Sequence, residues 1–238
     1  MRLHGSHFLF SVDYFRAMKK YARRFKDLDH FILLFSLLLA IVLPLFNYFE
    51  ALHSMVPDFN LLLLILSGYS VAYSLDKRIT VAKGVAALAF LAVLLRFVDV
   101  GFDPVEEARI GGIFIIAFLF LLTQSLIRNI LSLRYVGVEL IVDAMNGYLL
   151  LGLSGSLMTA ILDYFIANAY SVNIDGLYGS FGYLYYSFVT LTTLGYGDIY
   201  PTKPISMSLA ILISLAGVLY LAFLVATIVS KASEHKKV

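Results

Sequence analysis

Residues 190–198 read Thr190-Leu-Thr-Thr-Leu-Gly-Tyr-Gly-Asp198, and strongly apolar segments stand on both sides of them. Glycine makes unusual backbone turns accessible because it accepts positive φ. Here Gly195 and Gly197 alternate with Leu194 and Tyr196, with paired threonines just before them. That alternation allows consecutive carbonyls to face one way while the larger side chains face the other. Backbone oxygens arranged so can replace the water shell of a dehydrated cation, and the Thr193 hydroxyl can add one more oxygen at the inner end.

The surrounding chain decides where such a turn lies. Of 238 residues, 61% are hydrophobic and 14% charged, and the mean hydropathy is +0.87. Soluble domains run nearer about 45–50% apolar and about 25% charged. The composition is that of a membrane protein with little soluble mass. There is no cysteine, which excludes disulfides, thiolate metal sites and cysteine nucleophiles. No nucleophile–base set appears, so the chain is not expected to be an enzyme. The histidines at 4, 7, 30, 53 and 235 are scattered and make no zinc cluster.

Six apolar segments are long enough, or nearly so, to cross a membrane: 30–49, 60–75, 80–98, 109–127, 139–162 and 205–230. About 20 helical residues cover a hydrocarbon layer of about 30 Å. The connecting charges alternate. The N-terminal segment is basic; 50–59 holds Glu50 and Asp58; 76–79 holds Lys77 and Arg78; 99–108 is acidic; 128–138 holds Arg128 and Arg134; the tail holds Lys231, Lys236 and Lys237. The positive-inside rule then places both termini in the cytoplasm, in a cell-membrane protein. Residues 1–29 form a cytoplasmic segment. Within it, Tyr14, Met18, Tyr21, Phe25 and Leu28 recur at helical spacing among lysines and arginines. This reads either as an amphipathic helix on the membrane surface or as a helix continuing into the first span.

Between the fifth and sixth spans, 163–204 begins polar and turn-rich, becomes apolar from Phe181 to Leu194, and meets the glycines. Fourteen such residues are too few to cross and suit a re-entrant helix. Irregular backbone at membrane depth is tolerated only when buried in protein or lining a wet cavity.

At this point the stretch Thr192-Thr193-Leu194-Gly195-Tyr196-Gly197-Asp198 resembles the selectivity filter of the potassium channel family, which usually has valine where Leu194 stands. Tyr185-Tyr186 occupies the place of an aromatic pair in the family's pore helix, and Val189 the place of a buried glutamate in some members. The resemblance covers about 90 residues. It implies an all-α membrane protein of six transmembrane helices, with a re-entrant pore helix and filter between the fifth and sixth. A four-helix domain at 30–134 precedes a pore domain at 135–230, made of outer helix 139–162, pore helix 181–192, filter 193–197 and inner helix 205–230. A short cytoplasmic tail, 231–238, follows.

The resemblance further implies a homotetramer with three further copies of the chain around one axis. Potassium is the permeant ligand, held by the carbonyls of Thr193, Leu194, Gly195 and Tyr196 and the Thr193 hydroxyl. Gly197 would let the chain turn at the outer mouth. Asp198 would sit behind the filter and bond to the tyrosine pair. Membrane lipids are the other partner. No cofactor, nucleic acid or large cytoplasmic ligand-binding domain is expected. The alternatives are a non-selective cation channel of the same architecture, a non-conducting accessory subunit, or a transporter, for which no internal repeat is found.

The first four spans depart from the voltage-gated pattern. Segment 109–127 has Arg109 at its outer end and no further basic residue before Arg128, so no arginine row senses voltage. Arg96 and Asp99 read either as a gating or structural ion pair or as a snorkelling arginine near an acidic loop. Asp143, near the inner end of span five, is expected to meet Arg134, Arg128 or the inner end of span six. Gly217 reads either as a hinge of the inner helix or as a close-packing site. Leu221, Phe223, Leu224 and Thr227 are candidates for the pore lining or a hydrophobic gate.

Overall fold

The computed structural model describes residues 28–42, 65, 66, 68, 69, 87, 104–132 and 137–235. The basic segment before residue 28, most of the second and third expected spans, and the Arg96–Asp99 pair lie outside them. Helix α1 covers Leu28–Val42. It is followed by α2 (Pro104–Ser132), α3 (Val138–Phe165), the short α4 (Ile174–Tyr178), α5 (Ser180–Leu191) and α6 (Pro204–His235). Among the described residues three helical stretches are long and apolar enough to cross a membrane: Phe114–Ser132, Val138–Phe165 and Pro204–Lys231. The architecture is an all-α, multi-helix integral membrane fold, and its lipid-facing helices contact the bilayer.

Several boundaries differ from those expected, each for a local reason. Helix α2 starts five residues earlier than residue 109, with Pro104 in the first turn, where its missing N–H costs nothing. Helix α6 also starts on a proline, Pro204. The Ser206 hydroxyl accepts from the Lys203 N–H at 3.2 Å and donates to the Ala169 carbonyl at 2.7 Å, which fastens this helix start to the outer loop. At its other end α6 runs to His235, so residues 231–235 continue the helix. The Lys231 ammonium donates to the Ile130 carbonyl at 2.6 Å and to the Leu131 carbonyl at 3.3 Å. It thereby satisfies carbonyls that the end of α2 leaves open, at the terminus that favours a cation.

Packing between apolar helices in lipid gains little from the hydrophobic effect, since lipid tails are as apolar as leucine. It rests on close contact and on polar ties. Leu33 and Leu37 of α1 meet Phe118, Leu119, Leu122 and Leu126 of α2 and Leu150 of α3 in one buried cluster. Helix α5 lies against α3 where glycines make room. A Cβ on Gly152 would stand 2.4 Å from the Phe188 ring, and the Ser187 hydroxyl donates to the Gly152 carbonyl at 2.7 Å. Helix α6 is held to α3 by the Tyr220 hydroxyl, which donates to the Ala144 carbonyl at 2.8 Å.

Asp143 has partners that the sequence reading did not name. Its carboxylate, fully buried, takes the Nδ1–H of His30 on α1 and the Asn129 side-chain amide on α2 at 2.6 Å. Of the partners expected for it, Arg134 lies outside the described residues, and no bond from Arg128 reaches it among them. A histidine and an amide can satisfy a buried carboxylate without exposing the long arginine stem to the bundle interior.

Candidate functional site

Helix α5 ends at Leu191 because the chain beyond it changes conformation residue by residue. Thr193 has φ +58°, Gly195 +57° and Gly197 +79°, while Leu194 and Tyr196 between them keep negative φ. A run with φ of one sign in an extended strand sends carbonyls alternately to opposite sides. Reversing the sign at every second residue brings them to one side. Glycine adopts the positive values at little cost, whereas a β-branched residue at φ +58° is an outlier of the kind that gathers at functional sites.

The hydrogen bonds give the strip its polarity. The amide of Thr193 is bonded to the Thr190 carbonyl at 3.0 Å, and those of Leu194 and Gly195 to the Val189 carbonyl at 3.0 and 3.3 Å. The donors therefore turn back onto α5. Among the described residues no group donates to the carbonyls of Thr193, Leu194, Gly195 or Tyr196. The strip is exposed in the single chain, and it presents acceptors without donors. The C-terminal end of α5, with its partial negative charge, stands at the base of the strip. Such a surface favours a cation.

The side chains behind the strip hold it in place. The Tyr196 ring stacks on that of Tyr185, 6.5 Å between centroids and 9° between planes. The Tyr185 hydroxyl donates to Asp198 Oδ2 at 2.6 Å, and Asp198 Oδ1 accepts from the Ile199 amide at 3.0 Å. The tyrosine bond is the main cause of an Asp198 carboxyl held below its ordinary range. The same bond pushes the Tyr185 hydroxyl up to about 12.

Tyr186 does not share this bond. It is buried, edge-on to Tyr170 at 5.0 Å, in a cluster with Ile174, Tyr183 and Ile199. Tyr183 donates to Asp163 at 2.9 Å. The outer end is closed by a bridge between Tyr170 and Pro201, flanked by Ser171 N–H to the Tyr200 carbonyl and Thr202 N–H to the Ala169 carbonyl, each 2.9 Å. Neither this bridge nor α4 was visible in the sequence. Five residues are too few to show a helical period, although Asn173, which caps α4 by accepting the Gly176 amide at 3.0 Å, is a recognisable start signal.

On α6, Gly217 lies directly under the end of α5. A Cβ there would stand 2.1 Å from the Leu191 carbonyl oxygen. Leu221 is exposed and Phe223 half-buried, while the Thr227 hydroxyl is bonded back to the Phe223 carbonyl at 2.9 Å. Leu224 turns toward α2 and α3, packing with Ile228 on Ile130, Leu140 and Ala144, away from the exposed face that carries Val225 and Val229.

The family model described as "Ion channel" matches residues 149–234. The match runs from the middle of α3 through the strip to the last turn of α6. It is to a non-catalytic class of protein, in line with the chain having no enzymatic activity. No curated protein and no solved structure matches the chain.

Proposed function

We propose that the chain is one subunit of a homotetrameric channel that conducts potassium passively through a filter made of its own backbone. The observation that carries this reading is the alternation of φ sign at Thr193, Gly195 and Gly197, with four consecutive carbonyls that receive no donor. One strip offers one wall. Four copies around an axis would surround an ion with rings of oxygens that replace its hydration shell, the Thr193 hydroxyl closing the innermost ring. Leu194 and Tyr196 are 55% and 67% exposed in the single chain, and so is much of α6 through Ile211, Leu215, Val218 and Leu219. Neighbouring subunits would cover these surfaces, and closed rotational symmetry is the ordinary way a single sequence builds a ring.

In this reading residues 135–230 form the pore domain, with Gly197, Asp198, Tyr185, Tyr186 and Val189 supporting the filter. The domain at 30–134 acts without an arginine row: in α2 the basic residues are Arg109 and Arg128 alone. Voltage then has few charges to move. Both termini lie in the cytoplasm of a cell-membrane protein. Leu194 favours a second reading, a non-selective cation channel, because its larger side chain packs behind the carbonyl ladder where the family it resembles has valine.

Single-channel recording of the purified protein in a planar bilayer, with voltage stepped over a wide range, tests the proposal. Discrete potassium currents with shallow voltage dependence are expected. Absence of current at every voltage, or a gating charge like that of an arginine-row sensor, would refute it.

A further inference from the structure

The inner half of the bundle holds a second polar centre that plays no part in the strip. His30 on α1, Asn129 on α2 and Asp143 and Asn146 on α3 converge there. His30 is 1% exposed, and Asp143 and Asn146 are 0% exposed. The Asp143 carboxylate takes the His30 Nδ1–H and the Asn129 amide, and the Asn146 amide donates to the His30 backbone carbonyl at 3.0 Å. Among the described residues two atoms of this cluster find no partner: His30 Nε2 and Asn146 Oδ1.

The chemistry of those two atoms is informative. With its Nδ1–H given to Asp143, a neutral His30 ring keeps a bare lone pair at Nε2. Asn146 Oδ1 is an acceptor too, and its orientation is fixed because its NH₂ end faces a carbonyl. Two buried acceptors need donors, and buried polar groups in proteins find them in protein or in internal water. One water molecule can donate a hydrogen to each. If a proton then binds at Nε2, the ring becomes a donor, and the same water accepts from Nε2–H while still donating to Oδ1. The positive ring would face the Asp143 carboxylate it already bonds.

We propose that His30, Asp143, Asn129 and Asn146 form an internal proton-binding site closed around one water molecule. On protonation the O–H···Nε2 bond is exchanged for Nε2–H···O, and the water turns from double donor to relay while its bond to Oδ1 is kept. The ionisable groups beside the cluster on the packed elements are Asp29 next to His30, Arg128 next to Asn129, Glu139 one turn before Asp143, Lys231 at the Ile130 carbonyl, and Tyr220, whose hydroxyl interacts electrostatically with the Asp143 carboxylate. Tyr220 stands nearest in function: its hydroxyl holds α6 to the carbonyl of Ala144, the residue after Asp143. Proton binding therefore alters the tie between α1 and α3 at the position where α6 is fastened. The site stands independently of which ion the strip accepts.

The test is water-edited solid-state NMR of the ¹⁵N-histidine-labelled full chain in lipid bilayers, from about pH 8 to about pH 5, the range in which histidine ordinarily titrates. Replacing His4, His7, His53 and His235 by asparagine leaves His30 as the single histidine and changes none of the four cluster residues. His30→Asn, which keeps a donor toward Asp143 and cannot titrate, confirms the assignment by loss of the signal. The expected result is a His30 Nε2 resonance that receives magnetisation from water and passes from the unprotonated to the protonated shift on acidification. A ring nitrogen with no water contact, or one that keeps a single protonation state across the range, would overturn the proposal.

Discussion

Replacing Gly217 by alanine is a severe test of how the strip is held. The added Cβ would lie 2.1 Å from the Leu191 carbonyl oxygen, 3.0 Å from its carbon and 3.1 Å from Cδ1 of the same residue. Ordinary contact begins at 3.4 Å, so helix α6 and the end of α5 must separate by about 1.3 Å. The obstruction is backbone, and no rotamer change relieves it. Overpacking of this kind costs about 1–3 kcal/mol. Alanine's better helix propensity returns about 1 kcal/mol. With a rigid carbonyl as the obstacle the upper end applies, leaving a net loss of about 2 kcal/mol. Reversible unfolding of the purified protein in mixed micelles measures it. Because Leu191 leads directly into Thr192 and the strip, ion flux should fall together with stability. A Gly217→Ala protein as stable as the wild type, or more so, would refute the close-packing argument and favour a glycine that serves only to bend α6.

Three further outcomes are expected. Tyr185→Phe removes the donor to Asp198. That carboxyl, now held low, stabilises the end of the strip above its ordinary titration range and loses the effect as pH falls through its depressed value. In the variant the Asp198 midpoint, followed by carboxyl ¹³C NMR, should rise, and an unchanged midpoint would contradict the bond. At the alkaline end the Tyr185 contribution should fade as pH climbs from 10.0 through about 12. Gly195→Ala meets no atom within 4 Å but must keep φ +57°, a backbone cost of about 1–2 kcal/mol; flux should drop by about five- to thirtyfold, at tenfold per 1.4 kcal/mol, and wild-type flux would argue against the strip as the conducting path. Asp143→Ala leaves the His30 Nδ1–H and the Asn129 amide buried without their acceptor, a loss of about 1–3 kcal/mol in the same unfolding assay. No loss would mean that the cluster contributes nothing to the bundle.

What was legible beforehand depended on local pattern. Alternate glycines announce a backbone with alternate positive φ, and Thr193 completes the series although its side chain gives no such signal. The bond from Asp198 to an aromatic of α5 was implied by the resemblance of 192–198 to the potassium channel filter, but the choice of Tyr185 over Tyr186 depends on how α5 is rotated. Long apolar runs disclosed α2, α3 and α6. Their lateral arrangement was not disclosed, because α6 is apolar on every side and shows no preferred face. The His30–Asp143 bond spans 113 residues and joins two helices whose rotation no periodicity reports. From the sequence alone Arg134, Arg128 and the inner end of α6 were the expected partners, and His30 was not among them. The sequence left Gly217 with two readings, a hinge or a close-packing site, and the Leu191 carbonyl beneath it supports the second.

The central claim is that the carbonyls from Thr193 to Tyr196 take the place of water around potassium. The reversal potential of the purified protein in a bilayer, with potassium on one side and an equal concentration of sodium on the other, tests it most directly. A reversal displaced far toward the potassium equilibrium potential is predicted. A reversal near zero would contradict potassium selectivity and leave a cation pore that does not choose between the two ions.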